Sequence, residues 1–173
     1  MNNEGPNMVS AGAYIAPGAV LVGEISIGPD SSVWPSAVIR ADMAPVHIGR
    51  GTSIQDNVTI HTNEGAPTII GDYVTVGHNA VIHGATVEDY CIIGMGAIVL
   101  DGAVIESGTI VGAGAVVPSG RRITGNSLVL GIPGKVVKEG DFMEQIRANA
   151  EEYIRLARRY NSGEAPPVRI QEQ

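Results

Sequence analysis

Cysteine is almost absent from this 173-residue chain: Cys91 stands alone. That excludes an intrachain disulfide and any CxxC pair for metal or redox chemistry. Aromatic residues make up only 4%, so a core built on Phe and Trp is not available. Eleven basic residues face eighteen acidic ones, a net charge of −7 with no basic run, which argues against a nucleic-acid partner. No apolar run reaches transmembrane length, and the opening MNNEGPNMVS lacks the layout of a signal peptide. The expectation is a cytoplasmic protein with no membrane partner and small-molecule ligands.

What the chain does have is aliphatic residues at 44% total hydrophobicity, 23 glycines, and a period of six. Val87, Ile93, Val99, Ile105, Val111, Val117, Ile123 and Val129 follow one another at six-residue steps. Earlier runs keep the step through Ile15, Leu21, Ile27, Val33 and Ile39, then Ile48, Ile54 and Ile60, then Ile70, Val76 and Ile82. A hexapeptide cannot bury its aliphatic residue alone, so the units must stack into coils with these residues on a common axis. Three units per coil give a parallel β-helix of triangular section, with about six coils from these units. The phase jumps predict loops extruded at Met43 to Val46 and Thr62 to Pro67. Gly28, Gly49, Gly71, Gly77, Gly94 and Gly112, each just after an aliphatic residue, fit the corners through unusual φ and close backbone approach.

The repeat occupies 1–138. Asp141 with Glu144 three residues on reads as a capping box. Phe142, Ile146, Ala150, Tyr153, Ala157 and Tyr160 then recur at helical spacing, predicting a helix within 139–163 that packs on the β-helix or on a neighbouring subunit. Residues 164–173, with Pro166 and Pro167, are expected to form a mobile tail.

Counting units places three of the four histidines, His47 being the fourth. Arg40, His61 and His83 each directly follow the aliphatic residue of units three apart, so they stack on one face in successive coils. Strands stacked about 4.8 Å apart let two imidazoles converge on one Zn2+. His78 lies two residues after Val76, on the preceding face, with Asp56 in the same slot one coil below. A side chain at a neighbouring edge is poorly placed to join that pair, but in a threefold ring it reaches the next subunit. The alternative is three unrelated surface histidines.

VIRAD (Val38 to Asp42), IQDNVTIH (Ile54 to His61) and VGHNAVIHG (Val76 to Gly84) resemble the gamma-class carbonic anhydrases and their shorter relatives, over nearly the whole chain. The resemblance implies an all-β, left-handed parallel β-helix with one C-terminal α-helix, and a homotrimer with interchain metal sites. It implies metal ligation by His61 and His83 of one subunit and His78 of the next, and it matches Arg40, Asp42, Gln55 and Asp56 to the family's other site residues. The implied activity is hydration of CO2 to bicarbonate by hydroxide on Zn2+, with Fe2+ or Co2+ as other metals. Three neutral imidazoles leave a fourth zinc position open and bring bound water to a pKa of about 7. Gln55 can orient hydroxide or bicarbonate, and Arg40 can meet Asp56 of a neighbour in a bidentate pair. A purely structural ion-pair cluster is the alternative for Arg40, Asp42 and Asp56. Tyr153 is the helix residue that could reach the site, with core packing as its alternative. The chain departs from active members in its short loop Thr62 to Pro67, whose only acid is Glu64, and in Met43 after Asp42, so the family's proton-shuttle glutamates have no clear match. Two other readings follow: a weakly active or non-catalytic metal-bound scaffold, and a hexapeptide acyltransferase using acyl-coenzyme A, suggested by IPGKVVK (Ile132 to Lys138).

Overall fold

The structure is a computed structural model, and residues 8–164 are described. Its architecture is the left-handed β-helix with one C-terminal helix that the repeat and the resemblance led us to expect. The eight-stranded sheet forms one face of the prism, beginning with Tyr14–Ile15, Ser32–Val33, Ser53–Ile54 and Thr75–Val76, and continuing through Ile92–Ile93, Ile110–Val111 and Ser127–Leu130. These seven strands pair in parallel, one per turn, and Lys135–Glu139 closes the end antiparallel to Ser127–Leu130. The other two faces form one sheet of eleven strands, because Val20–Ile27 and Val38–Ile48 run unbroken round the corner between them.

There are about seven turns rather than six. Seven of the aliphatic units, from Ile15 to Val129, fall on the first face, and one further unit precedes them at Val9, six residues before Ile15, where Met8–Val9 pairs with Ser26 and Ile27. The segment Met43 to Val46 also differs from the loop expected from the sequence. It lies inside the strand Val38–Ile48, and its surplus residues appear as a register shift between Gly23 and Ile25 of the neighbouring strand. Thr62 to Pro67 does leave the coil, as a tight turn with a bridge between Asn63 and Ala66.

The periodic residues meet along the axis. On one face Ile39, Ile60, Ile82, Val99 and Val117 are in register and fully buried. Two residues ahead of each comes a small or β-branched interior residue such as Ala80 or Ala97; Cys91 fills the same slot before Ile93, and burial pushes its thiol up to about 12. The glycines after the aliphatic residues are needed for close approach only. A Cβ on Gly94 would lie 2.6 Å from the Ala113 nitrogen, one turn on. Left-handed φ belongs instead to the second residue of each corner, for example Asn57 and Asn79, both at φ 60°.

The helix α1, Met143–Asn161, buries Ile146, Ala150 and Ala157 against the strands Tyr14–Ile15 to Thr75–Val76 of its own chain. Trp34 meets Tyr153 and Tyr160 edge to face there, with Tyr14 tilted against Trp34 and Tyr160, and the Trp34 indole donates to Ser32 and Ser53 hydroxyls at 3.0 Å each. The capping box does not form. Asp141 accepts the Met143 N–H at 2.8 Å, but Phe142 holds the N-cap position, so Glu144 sits one residue too early to reach back. Of the expected tail, 164–173, all but Glu164 lies outside the described residues. Among the described residues, no helix is long and apolar enough to cross a membrane.

Candidate metal centre

Arg40, His61 and His83 are paired in register on three adjacent strands, as the count of units requires. Their neighbours Ile39, Ile60 and Ile82 point inward and are fully buried, so strand alternation sends the three polar side chains outward. The rings of His61 and His83 meet edge to face, with His61 Nδ1 and His83 Nε2 only 3.0 Å apart. Each ring uses its other nitrogen on a carboxylate. His61 Nε2 donates to Asp42 Oδ1 at 3.1 Å, and His83 Nδ1 donates to Asp101 Oδ1 at 2.7 Å. With the ring protons held at those outer positions, the two facing nitrogens both present lone pairs. Two acceptors at this distance repel unless a cation lies between them. Two nitrogens bound tetrahedrally to Zn2+ at 2.0–2.1 Å are about 3.3 Å apart, so the donor set fits a divalent metal. Carboxylates behind metal-ligating imidazoles are a common orienting device.

Arg40 extends this column. Its Nη1 donates to Asp42 Oδ2 at 2.6 Å, while Nη2 lies 3.4 Å from His61 Nδ1. The Arg40 hydrogen bond holds the Asp42 carboxyl below its ordinary value, with that from His61 adding to the effect.

A second cluster occupies the corner between the sheet under α1 and the histidine face. His78 and Asp56 each precede a left-handed asparagine at the same corner, one turn apart, and His78 Nδ1 meets Asp56 Oδ2 at 3.0 Å. The Gln55 Oε1 accepts the His78 backbone N–H at 3.1 Å, and its amide lies beside the Tyr153 hydroxyl. Burial raises the Tyr153 hydroxyl pKa, and the charge of Asp56 adds to the rise. A cleft of about 230 Å³ opens here, lined by Gln55, His78, Met95, Asn149 and Tyr153 among others.

The sequence candidates therefore fall into two groups. His61, His83, Arg40 and Asp42 come together on one face; His78, Asp56, Gln55 and Tyr153 come together at an edge. Among the described residues, no three His, Cys, Asp or Glu side chains of one chain form a metal-binding group. The fourth histidine, His47, lies on another face with the Ser26 hydroxyl 2.8 Å from its Nδ1. Asp101 was not among the sequence candidates. It lies 18 residues after His83, but the coil is 17 residues long there, with Ile82 paired to Val99, so Asp101 stands two places after its aliphatic residue rather than in the slot used for Arg40, His61 and His83.

Residues 84–119 match the family model for bacterial transferase hexapeptide repeats. A protein of Methanocaldococcus jannaschii named a probable carbonic anhydrase is 55% identical, over 87% of this chain and 96% of that one. A carbonic anhydrase of Geobacillus kaustophilus is 42% identical over 89% and 86% of the respective chains. Gamma carbonic anhydrase 2 of Arabidopsis thaliana, a mitochondrial protein, is 40% identical, and the match spans 57% of its length. Among solved structures, a hexapeptide transferase family protein of Anaplasma phagocytophilum superposes with a TM-score of 0.84 at 35% identity, covering 87% of this chain and 90% of that one.

Proposed function

The chain belongs to the gamma-class carbonic anhydrase family, and from that premise we propose that it hydrates CO2 to bicarbonate at metal sites shared between the subunits of a homotrimer. The observation that carries the reading is the pair of facing ring nitrogens of His61 and His83, 3.0 Å apart, with both outer nitrogens within hydrogen-bond distance of carboxylates. These two, with His78 of the partner subunit, would hold the metal. Three neutral imidazoles suit Zn2+ best and accept Fe2+ or Co2+. When bound, the cation supplies the Lewis acidity that makes hydroxide available near neutral pH.

The chain's own residues do the rest. Asp42 and Asp101 keep the His61 and His83 protons on the outer nitrogens. Arg40 holds Asp42 and has further N–H groups with which to meet Asp56 of the partner subunit. Gln55 and Tyr153 flank His78 and orient an oxygen of hydroxide or bicarbonate. Large apolar side chains stand exposed on or beside the histidine face, at Val20, Val22 and Met43, each 45–48% accessible, which supports coverage of that face by another copy. Glu64, the one acid of the loop after His61, is turned to solvent. Removal of the proton from the site is therefore assigned to buffer.

An acyltransferase reading has the fold in its favour, since some structural relatives carry transferase names. A single histidine base serves that reaction, and it gives no reason for two facing imidazoles. The test is metal analysis of aerobically and anaerobically purified protein, paired with stopped-flow CO2 hydration at rising imidazole buffer. Expected are a trimer, about one metal per subunit, and turnover that rises with buffer. A monomer with stoichiometric metal overturns the shared site. Full metal occupancy without hydration overturns the enzyme reading and favours the scaffold.

A further inference from the structure

We propose that Asp101 is a positioning residue that fixes the ring orientation and tautomer of His83 and thereby sets metal affinity; this rests on the reading of His83 as a ligand. Asp101 lies one turn beyond His83, at the corner that follows Ile98–Val99. Its Oδ1 accepts the His83 Nδ1 proton at 2.7 Å, among the shortest side-chain contacts of the metal centre. A neutral imidazole carries one ring proton, and its place decides which nitrogen is free to ligate. In water the proton favours Nε2, the nitrogen that here faces His61. The carboxylate reverses that preference and leaves the Nε2 lone pair open toward the partner imidazole.

The backbone is shaped around this contact. Gly84 follows His83 at φ 54°, and a Cβ there would lie 2.4 Å from Asp101 Oδ1. The carboxylate thus occupies the volume that the missing side chain leaves. The Gly102 N–H donates to the Gly84 carbonyl at 2.7 Å, which ties the corner bearing Asp101 to the corner beside His83. Asp42 serves His61 in the same way, but it is also engaged by Arg40, so of these two contacts the one at Asp101 can be changed without disturbing an ion pair to arginine.

The experiment measures the Zn2+ dissociation constant of the metal-stripped protein by competition with a chromophoric chelator, for wild type, Asp101→Ala and Asp101→Asn. The His83 tautomer is read in the same stripped samples from long-range 15N NMR correlations at one fixed pH. Loss of such an orienting partner weakens metal binding by about 10- to 100-fold. Asp101→Ala is expected to fall in that range and to move the ring proton to Nε2. Asp101→Asn keeps an acceptor oxygen in place, so it should retain the Nδ1–H tautomer and lose less affinity, about threefold to tenfold. An Asp101→Ala protein that binds Zn2+ within about twofold of wild type, or keeps its proton on Nδ1, overturns the proposal. If Asp101→Ala does not fold, unchanged affinity in Asp101→Asn overturns it instead. A stripped wild-type protein that binds no metal defeats the metal reading itself, an outcome distinct from either.

Discussion

If the metal site is split between subunits, two inactive variants should repair each other. His78→Ala removes the ligand that a chain gives away, whereas His83→Ala damages the pair that a chain keeps. Both side chains are partly exposed, at 38% and 28%, and each has a ring nitrogen within hydrogen-bond distance of a half-exposed aspartate. Such pairs contribute about 0–1 kcal/mol to stability, so both variants should fold and assemble, and each alone should lose most metal and activity. When equal amounts are unfolded together and refolded, about three quarters of the closed rings contain both chains. Every mixed ring, whatever its composition, has one junction at which a His78→Ala chain supplies His61 and His83 and a His83→Ala chain supplies His78. About one site in four is then complete. Metal content and hydration should both recover to about a quarter of wild type, with native mass spectrometry showing that the rings are mixed. If the three ligands came from one chain, every chain in the mixture would lack one of them. Mixed rings without recovered metal would refute the shared site.

Two further outcomes test the fold beneath the site. Ile105→Ala, at a fully buried axial position away from the histidines, should cost about 2–5 kcal/mol in urea unfolding while leaving metal affinity unchanged; a loss under about 1 kcal/mol would contradict the close-packed axis. Cys91 stays protonated in the folded chain to about pH 12, whereas in the unfolded chain it ionises from about pH 9. Between those values the native state holds more protons, so stability falls as pH rises, by up to about 1.4 kcal/mol per pH unit from this group. Urea midpoints from pH 7 to 10.5 should converge for wild type and Cys91→Ala as pH rises, and parallel profiles would refute the assignment.

Much of the site was legible because in a β-helix sequence spacing is strand register. Arg40, His61 and His83 could be stacked by counting, and the same counting paired Asp56 with His78. The method counts residues but is blind to the path they take. The surplus residues around Met43 to Val46 were legible as a number, while their absorption into a continuous strand depends on a neighbour, Val20–Ile27, that turns the same corner. Asp101 escaped because the corner slot differs from the strand-end slot, although both repeat every coil. The glycines showed half of their reason: stacked backbones forbid a Cβ at Gly94, but left-handed φ falls two residues further on, at Gly96. Glu144 failed as a capping partner because the helix start slipped by one residue, a shift that spacing alone does not reveal.

The placement of α1 also orders events in time. Its aromatic contacts reach back to Tyr14 and Trp34, and Arg158 bonds Asp30 across 128 residues of chain. Coils can add one upon another as the chain emerges during synthesis, since each rests only on the turn before it. The flank bearing Trp34 has no cover until the final helix is made. The turns that carry His61 and His78 are thus formed early, while the Tyr153 beside them arrives last, and the site is completed only by a nearly finished chain.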